Sequence, residues 1–428
     1  MADGVVILGA GLAGLSAAWH IGKGCEVFEA QDAAGGLCRT RELGGFRFDY
    51  TGHLLHLKDP YARKLVLGLM KGNLAEHERK AAIFAYGGFT GYPYQANTYG
   101  LPEDAARECV QGFINAPGRK PGGARPGNFR DWIKWNFGSG ISDQFMLPYN
   151  GKLWQYPLEE MAVEAIEPYV PVPTVEDIER GATFDGAKGL GYNPRFYYPE
   201  RGGIGSLVQA FLPGVDWVSV GQRAVEICAG RRTVKFATGY SAWYDSLVNT
   251  MPLAELLDII TDAPGELKEA AAKLRYTSVY DISLGVAREE ISPYHWIYFP
   301  GGEFSFYRAG ILSNFASDMA PKGSSGLYVE VSHRPESVIP EEELVEKSIS
   351  GLVSAGVLRE DDEIPVRDVS DIKYAYVVMD AHSMKAVPAI HGWLHEKGIH
   401  SIGRYGAWEY SSMEDAILEG RAVSERVK

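Results

Sequence analysis

The apolar positions near the start of the chain fall into two short runs, Val5-Val6-Ile7-Leu8 and Cys25-Glu26-Val27-Phe28, on either side of a small-residue stretch from Leu12 to Ile21. Short apolar runs closed by glycine predict buried parallel strands, and the stretch between them predicts a helix packed on those strands. Together they make one βαβ unit. Farther along, Ala224-Val225-Glu226-Ile227 and Thr233-Val234-Lys235-Phe236 predict short strands about a turn at Gly230-Arg231, and Ser246 to Thr250 predicts a buried strand ending before Pro252. All three are expected to extend the sheet that the βαβ unit begins. Pro264 to Leu274 and Pro340 to Leu358 have the pattern of amphipathic surface helices, and no internal repeat is present.

Between these segments the chain changes character. Aromatic residues, prolines and arginines crowd positions 84–201 and 292–308, which reads as a separate substrate-facing region. Asn115 to Asn128 holds too many glycines and prolines for regular structure and reads as a solvated surface linker rather than a lid. With 428 residues, of which 46% are apolar and 12% aromatic, the chain has the material for two or three domain-sized cores. The formal charge of −13 argues against a nucleic-acid partner, which needs a basic surface. Cys25, Cys38, Cys109 and Cys228 lie far apart without metal-ligand spacing, so neither a metal site nor a disulfide framework is expected, and a reducing cytoplasm fits best. The N-terminal run lacks a basic flank and is too short for a signal peptide, and no apolar stretch reaches the roughly 20 residues of a membrane span.

The chemistry begins at Gly9-Ala10-Gly11-Leu12-Ala13-Gly14, which follows the first strand and opens the helix, with Glu29 closing the second strand twenty positions after Gly9. In such a fingerprint Gly9 permits the tight turn, Gly11 lets the backbone approach a pyrophosphate, and Gly14 allows close helix packing. The helix N-terminus offers unpaired N–H groups to the anion, and Glu29, followed by Ala30, accepts from the ribose hydroxyls of a dinucleotide. A carboxylate at that position disfavours a 2′-phosphate.

A second glycine pair follows in Ala34-Gly35-Gly36-Leu37-Cys38-Arg39, and Gly403-Arg404-Tyr405-Gly406 precedes a helix expected to begin near Asp415. These three blocks, in this order, resemble the amine oxidase and protoporphyrinogen oxidase superfamily of flavoproteins. The resemblance implies FAD as cofactor, with Gly9, Gly11, Leu12, Ala13, Gly14, Glu29, Ala30, Gly36, Leu37, Gly52, His53, Val225, Gly403, Arg404, Tyr410 and Met413 around it. The fold implied is α/β: a Rossmann-like, GR2-type FAD-binding domain over 1–60, 202–265 and 395–428, interleaved with a mixed α+β substrate domain over 61–201 and 266–394.

Within that superfamily the chain most resembles the UDP-galactopyranose mutases. The blocks that carry the likeness are Asp49-Tyr50-Thr51-Gly52-His53, Tyr92-Pro93-Tyr94-Gln95, Pro148-Tyr149-Asn150-Gly151-Lys152-Leu153-Trp154, Phe196-Tyr197-Tyr198-Pro199-Glu200-Arg201, Trp296-Ile297-Tyr298-Phe299-Pro300, Phe306-Tyr307-Arg308, Tyr376 and Glu409-Tyr410. It implies an enzyme that interconverts pyranose and furanose forms of a nucleotide sugar on reduced flavin. His53 would sit beside the flavin, and Arg201 and Arg308 would clamp the diphosphate, with Tyr376 and Tyr410 in the catalytic set. Tyr92, Tyr94, Gln95, Asn150, Trp154, Trp296 and Tyr298 would line the substrate site. The implied partners are a UDP-sugar and NAD(P)H or another reductant. Two guanidinium forks converging on a diphosphate make chemical sense, because each pairs bidentately with phosphate oxygens and stays charged. The sequence departs from the mutases in an extra stretch between Trp154 and Arg201, and the segment after Tyr410 is shorter than in their eukaryotic branch. An FAD-dependent oxidase or desaturase, and a noncatalytic flavin-binding protein, are the alternative readings.

Overall fold

A computed structural model describes residues 4–120, 124–183, 194–215 and 217–427. Strand β1 (Val5–Leu8), helix α1 (Leu12–Ile21) and strand β2 (Cys25–Phe28) form as their apolar pattern dictates, with β1 wholly buried. They are the centre of a five-stranded parallel sheet, in the order Ile399–Ser401, Ser246–Asn249, β1, β2, Val218–Ser219. The segment 246–249 therefore joins this sheet as expected.

The two strands before it do not. Ala224–Cys228 and Thr233–Phe236 pair with Ser241–Trp243 in a separate three-stranded antiparallel sheet. Their alternating burial explains this. Ile227, Val234, Phe236 and Ala242 turn inward to one apolar cluster while Lys235 and Trp243 face out, a half-buried pattern that suits an antiparallel flap rather than a strand covered on both faces.

The substrate-facing part is organised on a seven-stranded sheet ordered Val366–Val377, Tyr276–Val286, Ser325–His333, Arg308–Ile311, Trp296–Tyr298, Ala81–Ala85, Gly88–Gly91. All its neighbours run antiparallel except Trp296–Tyr298 and Ala81–Ala85. A layer of helices, with Phe113, Phe129, Trp132 and Phe137 in its core, packs beside it. The 115–128 stretch holds one short turn at Pro117–Arg119, and its residues 121–123 lie outside those described. Helices Gly265–Ala272 and Glu341–Ser354 occupy the two amphipathic segments. Among the described residues, no helix is long and apolar enough to cross a membrane.

Two features bring the chain's ends together beside the β1–α1 turn. The final helix, Met413–Arg426, starts at a capping box in which Ser412 and Asp415 bond each other's backbone N–H. It crosses α1 so closely that a Cβ on Gly420 would lie 2.6 Å from Ala17 N, and Ser16 Oγ donates to Ile417 O at 2.7 Å. The parallel sheet, the C-terminal helix and the seven-stranded sheet thus border one cleft.

Candidate active site

That cleft is a cavity of about 920 Å³. Its floor is the glycine turn after β1. Gly9 has φ +98, and a Cβ there would lie 2.2 Å from Thr250 Oγ1; a Cβ on Gly14 would lie 2.0 Å from Gly9 O. Both positions therefore require glycine. Gly11 differs, since a Cβ there would meet no protein atom within 4 Å and would project into open space lined by Gly9, Gly11, Leu12 and Ala13. The second glycine pair closes the cradle, with a bridge between Gly11 and Gly35 and Gly35 N–H donating to Ala10 O at 2.8 Å. Glu29 is buried at the rim, where its Oε2 accepts from Ala10 N and its Oε1 from Gln31 N, each at 2.8 Å. These bonds fix the carboxylate and leave it further lone pairs toward the cavity.

Gly403, with φ +78, sits against Ala13, and its N–H is held by Glu419 Oε2 at 2.5 Å. Ala30, Gly36, Leu37, Gly52, His53, Arg404, Tyr410 and Met413 also line the cavity. Among them, His53 Nδ1 and Arg404 Nε are buried and make no well-formed hydrogen bond of their own, with Tyr50 and Tyr405 as their polar neighbours. Buried polar groups at a cavity wall fit a polar ring system, and the open face of Gly11 beside Glu29 fits a nucleoside diphosphate. The residues present therefore suit FAD. Two of the residues expected around it lie elsewhere: Gly14 is packed beneath the turn, and Val225 is 41% exposed while its neighbours Gln222, Arg223 and Ala224 line the cavity.

The opposite wall comes from the seven-stranded sheet and its helical layer. Tyr92, Gln95, Asn150, Trp154, Trp296, Tyr298, Arg308, Tyr376 and Tyr410 all face the cavity. The Tyr92 and Tyr298 rings stack at 5.0 Å with Arg79 over Tyr92, and the Tyr376 and Tyr410 rings lie parallel at 6.4 Å with Arg404 over both. Asn150 Oδ1 accepts from Trp154 Nε1, so those two polar groups are spent largely on each other. Gln95 Nε2 donates to Pro171 O.

Two expectations fail here. Tyr94 is fully buried in the helical layer, its hydroxyl donating to Gln144 Oε1, and it does not reach the cavity. Arg201 is exposed and does not line the cavity; its backbone is fastened to Asn73 and Ser206. The paired arginines expected at 201 and 308 are thus not brought together. The other arginines that line the cleft with Arg308 are Arg39, Arg79, Arg223 and Arg404. Tyr197 and Tyr198 also point away, toward Arg63 and the buried Asp49.

Arg308 is not a free cation. Its Nε and Nη2 donate to the two carboxylate oxygens of the fully buried Glu330, each at 2.7 Å. Burial opposes the charge, but Glu330 with Tyr376, Tyr328 and Tyr307 outweighs it and holds the arginine pKa well above its usual value. The bidentate pair leaves Nη1 and one Nη2 proton for other acceptors. Burial lowers the His53 pKa to about 4, and Arg404 and Arg308 reinforce the effect, so the imidazole is neutral near pH 7. Burial raises the Tyr376 phenol to about 12 and pushes Tyr307 and Tyr149 well above their usual values, keeping all three as hydroxyl donors.

Part of the stretch between Trp154 and Arg201, residues 166–171, forms a roof. Ile166, Tyr169, Val170 and Pro171 line the cavity, and Tyr169 hydroxyl donates to Tyr410 O at 2.7 Å. Helix Val175–Thr183 follows, and residues 184–193 lie outside those described.

A glycine cradle on a parallel sheet, closed by a C-terminal turn and helix and facing an aromatic wall, defines a flavoprotein of the FAD-binding Rossmann type. The chain belongs to the flavin containing amine oxidoreductase family, whose model matches residues 140–428, and an NAD(P)-binding Rossmann-like domain model matches residues 7–67. FAD is its cofactor. Among solved structures, that of reduced UDP-galactopyranose mutase is 28% identical, with a TM-score of 0.94 over 99% of this chain and 93% of that one. A putative protoporphyrinogen oxidase from Exiguobacterium sp. 255-15 is 16% identical, with a TM-score of 0.77 over 99% of this chain and 98% of that one. A putrescine oxidase is 15% identical, with a TM-score of 0.70 over 99% and 98%. The last two share the fold.

Proposed function

We propose that this flavoenzyme is a UDP-galactopyranose mutase-like isomerase, exchanging pyranose and furanose forms of a nucleotide-linked sugar, most directly a UDP-sugar, while its FAD is reduced. The observation that carries the reading is the wall opposite the glycine cradle, where Arg308, Arg79 and Arg404 stand among the cavity-lining tyrosines 92, 298, 307, 376 and 410. Such a wall offers charge and hydroxyl donors to a diphosphate and a polyol. The 28% identity to the mutase across nearly the whole chain supports the same reading.

When bound and reduced, FAD supplies the nucleophilic chemistry that detaches the nucleoside diphosphate from the anomeric carbon. The chain's own residues do the rest. Arg308, oriented by Glu330, directs its remaining N–H groups at the developing phosphate charge, a preorganised donor that need not reorganise during bond cleavage. Because that ion pair is neutral overall, Arg404, which also lines the cavity, adds a further cation for the departing diphosphate. Tyr376 and Tyr307, whose hydroxyls lie 3.3 Å apart, remain protonated and donate to phosphate or sugar oxygens. Neutral His53 acts as a hydrogen-bonding partner for the cofactor. The Ile166–Pro171 roof excludes water from the sugar. Turnover in this reading also requires a reductant, NAD(P)H or another.

An amine oxidase would use the parallel Tyr376 and Tyr410 rings as a frame for a cationic substrate. Arg404 already lies 4.7 Å from the Tyr410 centroid and 5.8 Å from that of Tyr376, so the frame holds a cation of its own. The reading is tested by adding UDP to the yellow holoprotein and following the flavin absorbance. We expect a saturable perturbation that Arg308→Gln weakens at least tenfold, and an absence of any UDP-dependent change would refute the nucleotide-sugar assignment.

A further inference from the structure

We propose that Glu419, with Ser401 and Asn249 behind it, is a positioning residue that fixes the turn from Gly403 to Gly406 and so aims Arg404 into the flavin cleft. The inference rests on the FAD site alone and stands whether the enzyme isomerises a sugar or oxidises an amine.

The turn leaves the parallel sheet at the C-terminal end of its edge strand Ile399–Ser401, where Ser401 pairs with Asn249 at the end of the neighbouring strand. Both side chains are buried. Asn249 Nδ2 donates to Ser401 Oγ at 2.7 Å, and Ser401 Oγ in turn donates to Gly406 O at 2.8 Å. The backbone carbonyl of Asn249 accepts from Ile402 N–H at 2.9 Å. The packing is close enough that a Cβ on Gly406 would lie 3.1 Å from both Asn249 O and Ser401 Oγ. At the other end of the turn, Gly403 N–H donates to Glu419 Oε2 at 2.5 Å. Glu419 is half-buried on the final helix, does not line the cavity, and has no part in the chemistry above.

These bonds bracket Arg404 and Tyr405, one at the N–H of the preceding glycine and one at the C=O of the following glycine. Gly403 has φ +78 and ψ 162, and without a Cβ its own preference does not select that conformation, so the bond to Glu419 sets the direction in which Arg404 departs. Arg404 then lines the cavity, with its guanidinium 4.7 Å from the Tyr410 centroid and 5.8 Å from that of Tyr376. Removing the Glu419 acceptor strands a buried N–H, and the Gly403 peptide lowers that cost by turning toward another acceptor, which carries Arg404 with it. The carboxyl group is itself held at a cost. Burial raises its pKa to about 7 despite the opposing bond from Gly403, and Glu409 and Asp415 add to the rise. A residue that only packed the helix would avoid that cost.

The test compares holoprotein carrying Glu419→Met, Glu419→Gln, Ser401→Ala, Arg404→Gln and the Glu419→Met/Arg404→Gln pair, reading FAD dissociation by flavin fluorescence, the visible flavin spectrum, and the thermal midpoint. Losing a hydrogen bond to a charged acceptor corresponds to an effect on the order of tenfold. We expect Glu419→Met to weaken FAD retention by about that factor and to shift the visible spectrum as Arg404→Gln does. Glu419→Gln keeps an acceptor oxygen for Gly403 N–H and should stay within about threefold of wild type. Ser401→Ala removes a neutral hydrogen bond, should give the same signature at roughly fivefold, and serves if Glu419→Met does not fold. Because Glu419 acts through Arg404, the double variant should lose no more FAD affinity than Arg404→Gln alone. Unchanged FAD retention and spectrum in the Glu419→Met and Ser401→Ala variants, whatever their thermal midpoints, would overturn the proposal. So would losses that multiply in the double variant, or a loss in Glu419→Gln as large as that in Glu419→Met.

Discussion

Gly11→Ala separates the cofactor-binding role of the glycine turn from its folding role. In the structure Gly11 has φ −70 and ψ 178, a conformation alanine adopts freely, and its Cβ would touch no protein atom within 4 Å. Restricting the unfolded chain stabilises by about 0.4–1 kcal/mol. Alanine is a poorer helix N-cap than glycine by a similar amount. The apoprotein should therefore unfold within about 0.5 kcal/mol of wild type, the two small terms offsetting each other. The methyl group would occupy the space from which the turn's N–H groups reach the pyrophosphate. Losing one charge-assisted hydrogen bond costs about 1.5–3 kcal/mol, equivalent to roughly 10- to 150-fold in Kd. Gly14→Ala is the contrasting variant, because its Cβ would lie 2.0 Å from Gly9 O, and the helix must shift at a cost of roughly 1–3 kcal/mol to the fold itself. Urea unfolding of the apoprotein and FAD titration followed by flavin fluorescence read the two quantities separately. Gly11→Ala with wild-type FAD affinity, or with a destabilised apoprotein, would refute the assignment of that open face to the pyrophosphate.

Three further outcomes follow from the cleft. Arg201→Ala should leave UDP binding within about twofold of wild type, since surface substitutions away from a site change free energies by under ~0.5 kcal/mol; a loss comparable with that of Arg308→Gln, in the same titration, would return Arg201 to the site. Arg308→Met should destabilise the fold by roughly 3–5 kcal/mol by stranding buried Glu330, and Arg308→Met/Glu330→Gln should recover much of that loss without recovering turnover, as urea unfolding and activity together would show. His295 accepts the Lys80 N–H at Nδ1, and burial holds its pKa near 4, below the ordinary 6.5. Between those values the unfolded chain carries the extra proton, so the histidine's contribution to stability falls as pH drops from about 6.5 toward 4. The stability of wild type relative to His295→Gln should decline through that window, and a flat difference would contradict the shift.

The parts of the fold legible in the sequence were those where one residue type answers one backbone demand. Gly9 and Gly14 are required by contacts a Cβ would break, Glu29 directly follows a short apolar run that forms a buried strand, and the C-terminal helix carries its own capping residues. The strands at 224–236 were recognisable but not their partner, because a four-residue run does not encode the sheet it joins. Arg201 was misplaced for a related reason. Its aromatic neighbours Tyr197 and Tyr198 suggested a cleft, yet on that strand they face Arg63 and Asp49. Arg79 follows the acidic strand Ala75–Glu78, with no aromatic block to mark it. The carboxylate that supports Arg308 was more visible than it was given credit for. Glu330 interrupts Leu327-Tyr328-Val329-Glu330-Val331. A lone charge inside an otherwise buried strand needs a partner, and that signal points to Arg308.

The central claim is the mutase reading, and anaerobic incubation of the dithionite-reduced holoprotein with UDP-galactopyranose, with chromatography of the products, tests it most directly. We expect the furanose isomer to form only while the flavin is reduced, with no net consumption of reductant. Absence of ring-isomer product from any nucleotide sugar, together with peroxide formation from an amine by the oxidised protein, would contradict it.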